Sequence, residues 1–253
     1  MGDFLRNYKM KICALSPIYI GNGEKIGKKE YIYLPWDHRI IVPDIEKIYY
    51  SLAQKRKGSA YLEYMLKHTG DDLGVWLRQQ GIQRSEYGNW KRYELDAGDI
   101  PLSGTDFKSA RAREIACFVK DAYGMPYVPG SSIKGMLRTA LLAWEISENG
   151  KKYTSLKESI RKKAGEQARR NVFLDRETRE LETKAFHKYR SRESEDKTRL
   201  ADAVNSSLSG LIVGDSRPIS VDSLTLSQKI DYSLDGREKP LPILRETLAP
   251  GTD

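Results

Sequence analysis

Apolar and polar positions alternate with a period of two in some stretches and with a helical period in others. Residues 8–15, Tyr-Lys-Met-Lys-Ile-Cys-Ala-Leu, alternate basic and apolar side chains, which predicts a strand with one buried face. A turn-rich loop follows at 16–23. Residues 30–34, Glu-Tyr-Ile-Tyr-Leu, read as a returning strand, and 40–42 as a short third strand ended by Pro43. Asp44 stands where a helix cap is needed. Ile45, Ile48, Tyr49 and Leu52 then fall on one helical stripe.

Further along, 61–66 and 73–77 extend a helical region, with Asp71-Asp72 as a helix start. Residues 81–107 read as an exposed excursion, because Gly, Asp, Asn and Pro recur without period. Residues 108–122 read as helix, with Ala112, Ile115, Ala116 and Val119 on one face. A strong helix carries Ile133, Leu137, Leu141 and Trp144, and 151–199 reads as partial helix. Residues 211–213, Leu-Ile-Val, read as a buried strand. Residues 223–230 alternate and are expected to pair with a strand near 241–247. Three opening strands without a helix between them favour an α+β, ferredoxin-like arrangement over a doubly wound parallel sheet.

Composition narrows the function classes. The 253 residues are 39% apolar and 31% charged, a balance unlike that of a membrane or wholly disordered chain. Two cysteines, Cys13 and Cys117, exclude a disulfide scaffold or a cysteine zinc cluster, and read best as small buried apolar residues. No apolar leader and no bilayer-length apolar run occur in the sequence, so a cytoplasmic setting without membrane partners is the expectation. The formal net charge is +8, and residues 151–200 hold 16 basic against 9 acidic side chains. Such a concentration suits a polyanion, through counterion release, although the interleaved acids equally describe a solvated face.

Two glycine-bearing elements could approach a sugar-phosphate chain. In 127–135, Tyr-Val-Pro-Gly-Ser-Ser-Ile-Lys-Gly, small residues precede an amphipathic helix. Free N–H groups at a helix start bind phosphate, and Ser131 or Ser132 can cap the helix or donate to phosphate oxygen. Lys134 and Arg138, four apart, share a face. The element is not a Walker A loop, since Met136 and Leu137 replace the required Lys and Ser or Thr. An ordinary capped helix after a Pro-Gly turn is the alternative. The second element is Ile20-Gly21-Asn22-Gly23-Glu24-Lys25, followed by Lys28 and Lys29; it could also be a plain hairpin turn. His38, His68 and His187 have no metal-ligand spacing, so no metal or cofactor is expected. Asp215 follows the 211–213 run, where an active-site acid can sit or where it can cap a turn toward Pro218.

Taken in order, four segments resemble the RAMP superfamily of CRISPR proteins. Residues 16–25, Ser-Pro-Ile-Tyr-Ile-Gly-Asn-Gly-Glu-Lys, resemble its first-strand loop. Residues 121–139, Asp-Ala-Tyr-Gly-Met-Pro-Tyr-Val-Pro-Gly-Ser-Ser-Ile-Lys-Gly-Met-Leu-Arg-Thr, resemble its helix-start signature. Residues 211–218 resemble its strand with a following Asp-Ser, and 239–252 its mid-chain Arg-Glu segment. Within the superfamily the pattern is similar to the fifth-subunit family of type III-A (Csm) effector complexes. The resemblance implies a modified ferredoxin-like, RNA-recognition fold with helical insertions at about 55–125 and 150–208. It implies an N-terminal domain over 1–208, with 209–253 as closing strands and the start of an incomplete second ferredoxin-like half. A Pro-Gly-Thr turn at 250–252 is expected to lead into more chain.

The resemblance further implies a crRNA-binding subunit that caps the complex at the guide 3′ end and serves crRNA maturation. Its partners would be crRNA, other Csm subunits, above all the repeated backbone subunit, and host nucleases. The expected RNA-binding residues are Gly21, Asn22, Gly23, Lys25, Lys28, Lys29, Gly130, Ser131, Ser132, Lys134, Gly135 and Arg138. The related backbone subunit cuts RNA with an Asp in the loop after its first strand, whereas 23–30 here offer only Glu24 and Glu30. Binding without cleavage is therefore expected; the alternative is a RAMP-type ribonuclease that trims crRNA itself.

Overall fold

A computed structural model describes residues 6–67, 72–98, 114–165, 173–189 and 201–253. It divides into two compact units: Met1–Tyr127 with Arg217–Asp253, and Val128–Ser216. The sequence reading set its boundary at 208. Residues 217–253 group with the first unit because they supply two strands to its sheet.

That sheet has seven strands: β1 (Gly21–Ile26), β2 (Ile32–Leu34), β3 (Arg39–Pro43), β4 (Lys91–Asp96), β5 (Glu114–Phe118), β6 (Leu224–Tyr232) and β7 (Glu238–Leu248). Their spatial order is β1-β5-β7-β6-β4-β3-β2. Two neighbour pairs, β4 with β6 and β5 with β7, are parallel; the rest are antiparallel. The expected 223–230 and 241–247 pair is the β6–β7 hairpin. Ile40, Ile41 and Val42 are all buried, so β3 is covered on both faces.

Three helices pack against this sheet: α1 (Ile45–Gln54), α2 (Gly58–Leu66) and α3 (Leu73–Gln79). Asp44 caps α1 as expected, its carboxylate accepting from the Glu46 N–H at 3.0 Å and the Lys47 N–H at 3.3 Å. Asp72 caps α3 through the Val75 N–H at 2.8 Å; Asp71 lies outside the described residues. Ile48, Leu52, Tyr61, Tyr64, Leu73 and Trp76 meet in one buried cluster. The Trp76 ring stacks on Tyr64 with centroids 4.8 Å apart. Burial among these rings pushes the Tyr61 hydroxyl up to about 12.

A second buried feature is polar. Glu246 is fully enclosed, accepting from the Tyr93 O–H at 2.6 Å and the Phe118 N–H at 2.8 Å, and pairing with Lys120. It thus joins β4, β5 and β7 around one carboxylate. Burial, then the Glu246 charge, drives the Tyr93 hydroxyl far above its ordinary range.

The second unit is helical: α4 (Gly130–Glu148), α5 (Thr154–Ala164) and α6 (Asp175–Phe186). Its buried side chains include Ile133, Tyr153, Leu156, Ala185 and Phe186. Ion pairs accompany them: Arg138–Glu182 at 2.5 Å, Lys152–Glu145 at 2.8 Å and Lys163–Glu177 at 2.6 Å.

Five sequence expectations are corrected. Residues 8–15 form no strand. Tyr8 is 83% and Leu15 91% exposed; Ala14 exchanges backbone bonds with Gly251 and Thr252, and Lys11 pairs with Asp253 at 2.6 Å. No described strand lies beside 8–13 to complete the alternation. Residues 21–23 of the expected loop are strand, the start of β1, which adds to the free edge of β5. Residues 81–98 are not an exposed excursion: Tyr87 and Trp90 are buried and β4 lies inside the sheet. Residues 114–118 are strand rather than helix, since pairing on both sides overrides the helical spacing; residues 108–113 lie outside the described ones. Residues 211–213 form no strand, and Ile212 is exposed. The carbonyls of Val213 and Gly214 instead pack on the start of α4.

Candidate nucleic-acid interface

The glycine element of the first unit is built on β1. Gly23 has φ +88° with open space where a side chain would project, the left-handed geometry that glycine tolerates. Asn22 and Glu24 bind each other: the Asn22 oxygen accepts from the Glu24 N–H at 2.9 Å, and the Asn22 amide donates to the Glu24 carboxylate at 2.8 Å. Gly21 is required for another reason. A Cβ there would come within 2.2 Å of the Tyr19 hydroxyl oxygen, so Gly21 makes room for the Tyr19 ring.

The lysines after β1 divide by use. Lys25 pairs with Glu114 at 2.8 Å, both groups well exposed. The Lys28 backbone carbonyl accepts from the Leu73 N–H at 3.1 Å. Lys29 turns inward, donating to the carbonyls of Tyr64 at 2.5 Å and Met65 at 3.5 Å and to that of Lys67. It satisfies the last carbonyls of α2, as a cation at a helix C-terminus does. Burial lowers its pKa, with Lys28 and Lys67 adding to the effect. Glu30 closes the intervening turn by accepting from the Gly27 N–H at 2.6 Å.

In the second unit, the start of α4 is occupied by the protein itself. Asp215 accepts from the Gly130 N–H at 2.7 Å. A Cβ on Gly130 would lie 2.1 Å from the Val213 carbonyl oxygen, so glycine is needed for the chain's own backbone to pass. Asp215 therefore caps α4 rather than standing open as an acid. A phosphate arriving at the Gly130 amide would meet that carboxylate. At Gly130 the chain's own carboxylate thus takes the amide that the capped-helix alternative assigns to a cap.

The outer flank of α4 is different. Ser131 and Gly135 are exposed, Ser132 and Lys134 are half-buried, and a Cβ on Gly135 would meet nothing within 4 Å. Arg138, expected beside Lys134, turns toward α6. It donates to Glu182, lies 5.8 Å from the Phe186 ring centroid, and leaves its Nε buried without a partner. Beyond Ile133 the apolar stripe of α4 faces outward, with Trp144 61% exposed.

Two smaller expectations concern reactive side chains. Cys117 is buried, and that burial pushes its thiol up to about 11, as a structural cysteine behaves. Cys13 is exposed, not buried. Among the described residues no cluster of three His, Cys, Asp or Glu could hold a metal ion, and no helix is long and apolar enough to cross a membrane. Arg245 of β7, within the Arg-Glu segment but outside the expected RNA-binding set, places its guanidinium 4.7 Å from the Tyr19 ring centroid.

Comparison with known proteins gives the family. The model of the RAMP superfamily matches residues 11–253. A relative from Mycobacterium tuberculosis, CRISPR system Cms protein Csm5, is 29% identical over 265 residues, covering all of this chain and 66% of its own length. The Csm5 protein of Streptococcus thermophilus is 27% identical, covering all of this chain and 63% of its own length. The crystal structure of T. onnurineus Csm5 superposes with a TM-score of 0.68 at 23% identity, over 95% of this chain and 64% of that one; this likeness shows the fold. The chain thus spans just under two thirds of the length of these relatives. The mixed α+β fold, the order of the four motifs and the match across 11–253 lead to one conclusion: this chain belongs to the RAMP superfamily, with Csm5 proteins of type III-A CRISPR systems as homologues over its whole length.

Proposed function

We propose that the chain acts as a crRNA-binding, non-catalytic subunit of a type III-A effector complex, capping it at the guide 3′ end and serving crRNA maturation. The observation that carries this reading is the arrangement at 130–138. The residues of the helix-start signature that can meet a backbone, Ser131, Lys134 and Gly135, lie on the outer flank of α4, while Asp215 and Glu182 take up Gly130 and Arg138. Lys25 and the Lys28 turn supply the corresponding surface of the first unit. Gly130, Lys29 and Arg138 are engaged by the chain's own groups, and Gly21 makes room for the Tyr19 ring, so these four shape the surfaces around the contacts. Contacts of this kind bind phosphate without reading bases. The partners of this reading are crRNA, other Csm subunits, especially the repeated backbone subunit, and host nucleases acting on the guide.

Non-catalysis rests on Glu24 and Glu30. They are the acids of 23–30, the stretch that corresponds in this reading to the loop with the backbone subunit's cleaving Asp, and both are engaged locally, with Asn22 and with the Gly27 N–H.

The test is a gel shift with single-stranded RNA across a salt series, beside incubation with guide precursor. Affinity is expected to fall steeply with salt and to change little with sequence. Lys134→Ala should weaken binding alike for all sequences. Salt-insensitive binding would overturn the reading. So would specific precursor cleavage abolished by substitution of His38 or His187, which would establish the ribonuclease alternative.

A further inference from the structure

The register of the sheet brings a second cation beside the β1 element. Lys25 pairs with Ala116, Ala116 with Arg245, and Arg245 with Ser227. These four residues form one row across β1, β5, β7 and β6, with side chains on one face. Glu246, the next residue along β7, points to the opposite face, into its own buried network. The carboxylate two residues from Ala116 on the same face is Glu114, and Lys25 already holds it.

Arg245 is half-buried, and among the described residues it makes no ion pair; its partner is the Tyr19 ring. Stacking on an aromatic face fixes the guanidinium plane while leaving its edge donors for a ligand. Gly21 exists at its position so that this ring can lie there. Ala116, between the two cations, keeps the row low. A planar five-donor fork set over an aromatic ring, without a carboxylate of its own, suits a phosphate oxygen pair.

We propose that Arg245, oriented by Tyr19, is a phosphate-binding residue for a single-stranded RNA backbone that crosses the β1–β5–β7 edge of the sheet beside Lys25. The inference rests on the RNA-binding reading and extends it to a residue that the glycine motifs do not contain. Tyr19 acts as a positioning residue.

The experiment measures binding of a fluorescent, unstructured single-stranded RNA to the 253-residue chain at several salt concentrations. The variants are Arg245→Ala, Arg245→Gln and Lys134→Ala, each with its thermal melting curve. Arg245→Ala is expected to weaken binding by about tenfold. The slope of log affinity against log salt should become shallower by about 0.7, as for one lost phosphate contact on a single strand. Arg245→Gln, which removes the charge but keeps an aliphatic stem and a polar end, should show the same loss of slope at an unchanged melting temperature, a combination that a purely structural role would not produce. Tyr19→Phe should bind like the parent, and Tyr19→Ala should lose part of the affinity.

If Arg245→Gln binds with parental affinity and slope while Lys134→Ala is weakened, the inference fails and the broader reading stands. A parent chain that retains no RNA overturns both. RNA binding left intact by Arg245→Gln, with loss of co-purifying complex subunits, overturns the inference in favour of a protein contact at this row.

Discussion

The helices of the two units are held by different forces. In the first unit, α1–α3 bury rings and aliphatic chains in a cluster whose members are at most 8% exposed. In the second, α4–α6 bury fewer apolar residues among the described ones, and the unit is joined by Arg138–Glu182, Lys152–Glu145 and Lys163–Glu177. Apolar burial is not screened by simple salt as charges are, and it scales with area removed from water. Partly exposed ion pairs are screened by salt and individually weak. The first unit therefore has a core that specifies its helices. The second has a charged lattice whose stability follows solution conditions.

The comparison breaks most sharply at Trp76. Trp76→Ala removes the ring that stacks on Tyr64 and should cost about 3–5 kcal/mol, read as a lower urea midpoint; a shift under 1 kcal/mol would show that the aromatic cluster is not what holds α1–α3. Next is Gly130→Ala, which forces a methyl against the Val213 carbonyl and should cost about 1–3 kcal/mol. Its far-UV signal should melt earlier, while Gly135→Ala, where space is open, should not melt earlier. A double-mutant cycle on Arg138 and Glu182 should give a smaller coupling of about 0.2–1 kcal/mol. Raising salt should erode it, whereas salt should leave the Trp76→Ala cost unchanged.

The smallest effect is acid sensitivity. Lys152 and Lys163 hold Glu145 and Glu177 below the ordinary carboxylate value of 4.5, chiefly through direct hydrogen bonds. A depressed folded-state pKa means that the stabilisation is complete well above pH 4.5 and is lost as pH falls through the lowered values. Glu177→Gln should accordingly flatten the acid limb of stability against pH. An unchanged limb in that variant would remove Glu177 from the account.

Much of the local structure was legible in the sequence. Asp44 before a clean stripe specified α1, and alternation with a turn between specified the β6–β7 hairpin. What escaped depends on partners distant in the chain. Ala112, Ile115, Ala116 and Val119 match a helical stripe, yet parallel pairing with β7, more than 120 residues on, makes 114–118 a strand. The alternation at 8–15 is a genuine strand pattern, but no described neighbour completes it. The α4 start looked like an open anion site because Asp215, its cap, lies 85 residues away. Arg245 lay in the Arg-Glu segment of 239–252, but nothing local marked it as a ligand contact; only the sheet register sets it level with Lys25 and beside the Tyr19 ring.

The outward stripe of α4 has an optical consequence. Trp144 is the only indole in Val128–Ser216, and it stands largely in water, so its fluorescence should emit at long wavelength and be readily quenched by iodide or acrylamide. With Trp36, Trp76 and Trp90 replaced by phenylalanine, the emission colour of that single fluorophore becomes a label-free gauge of assembly, shifting to the blue as a neighbouring surface closes over the helix.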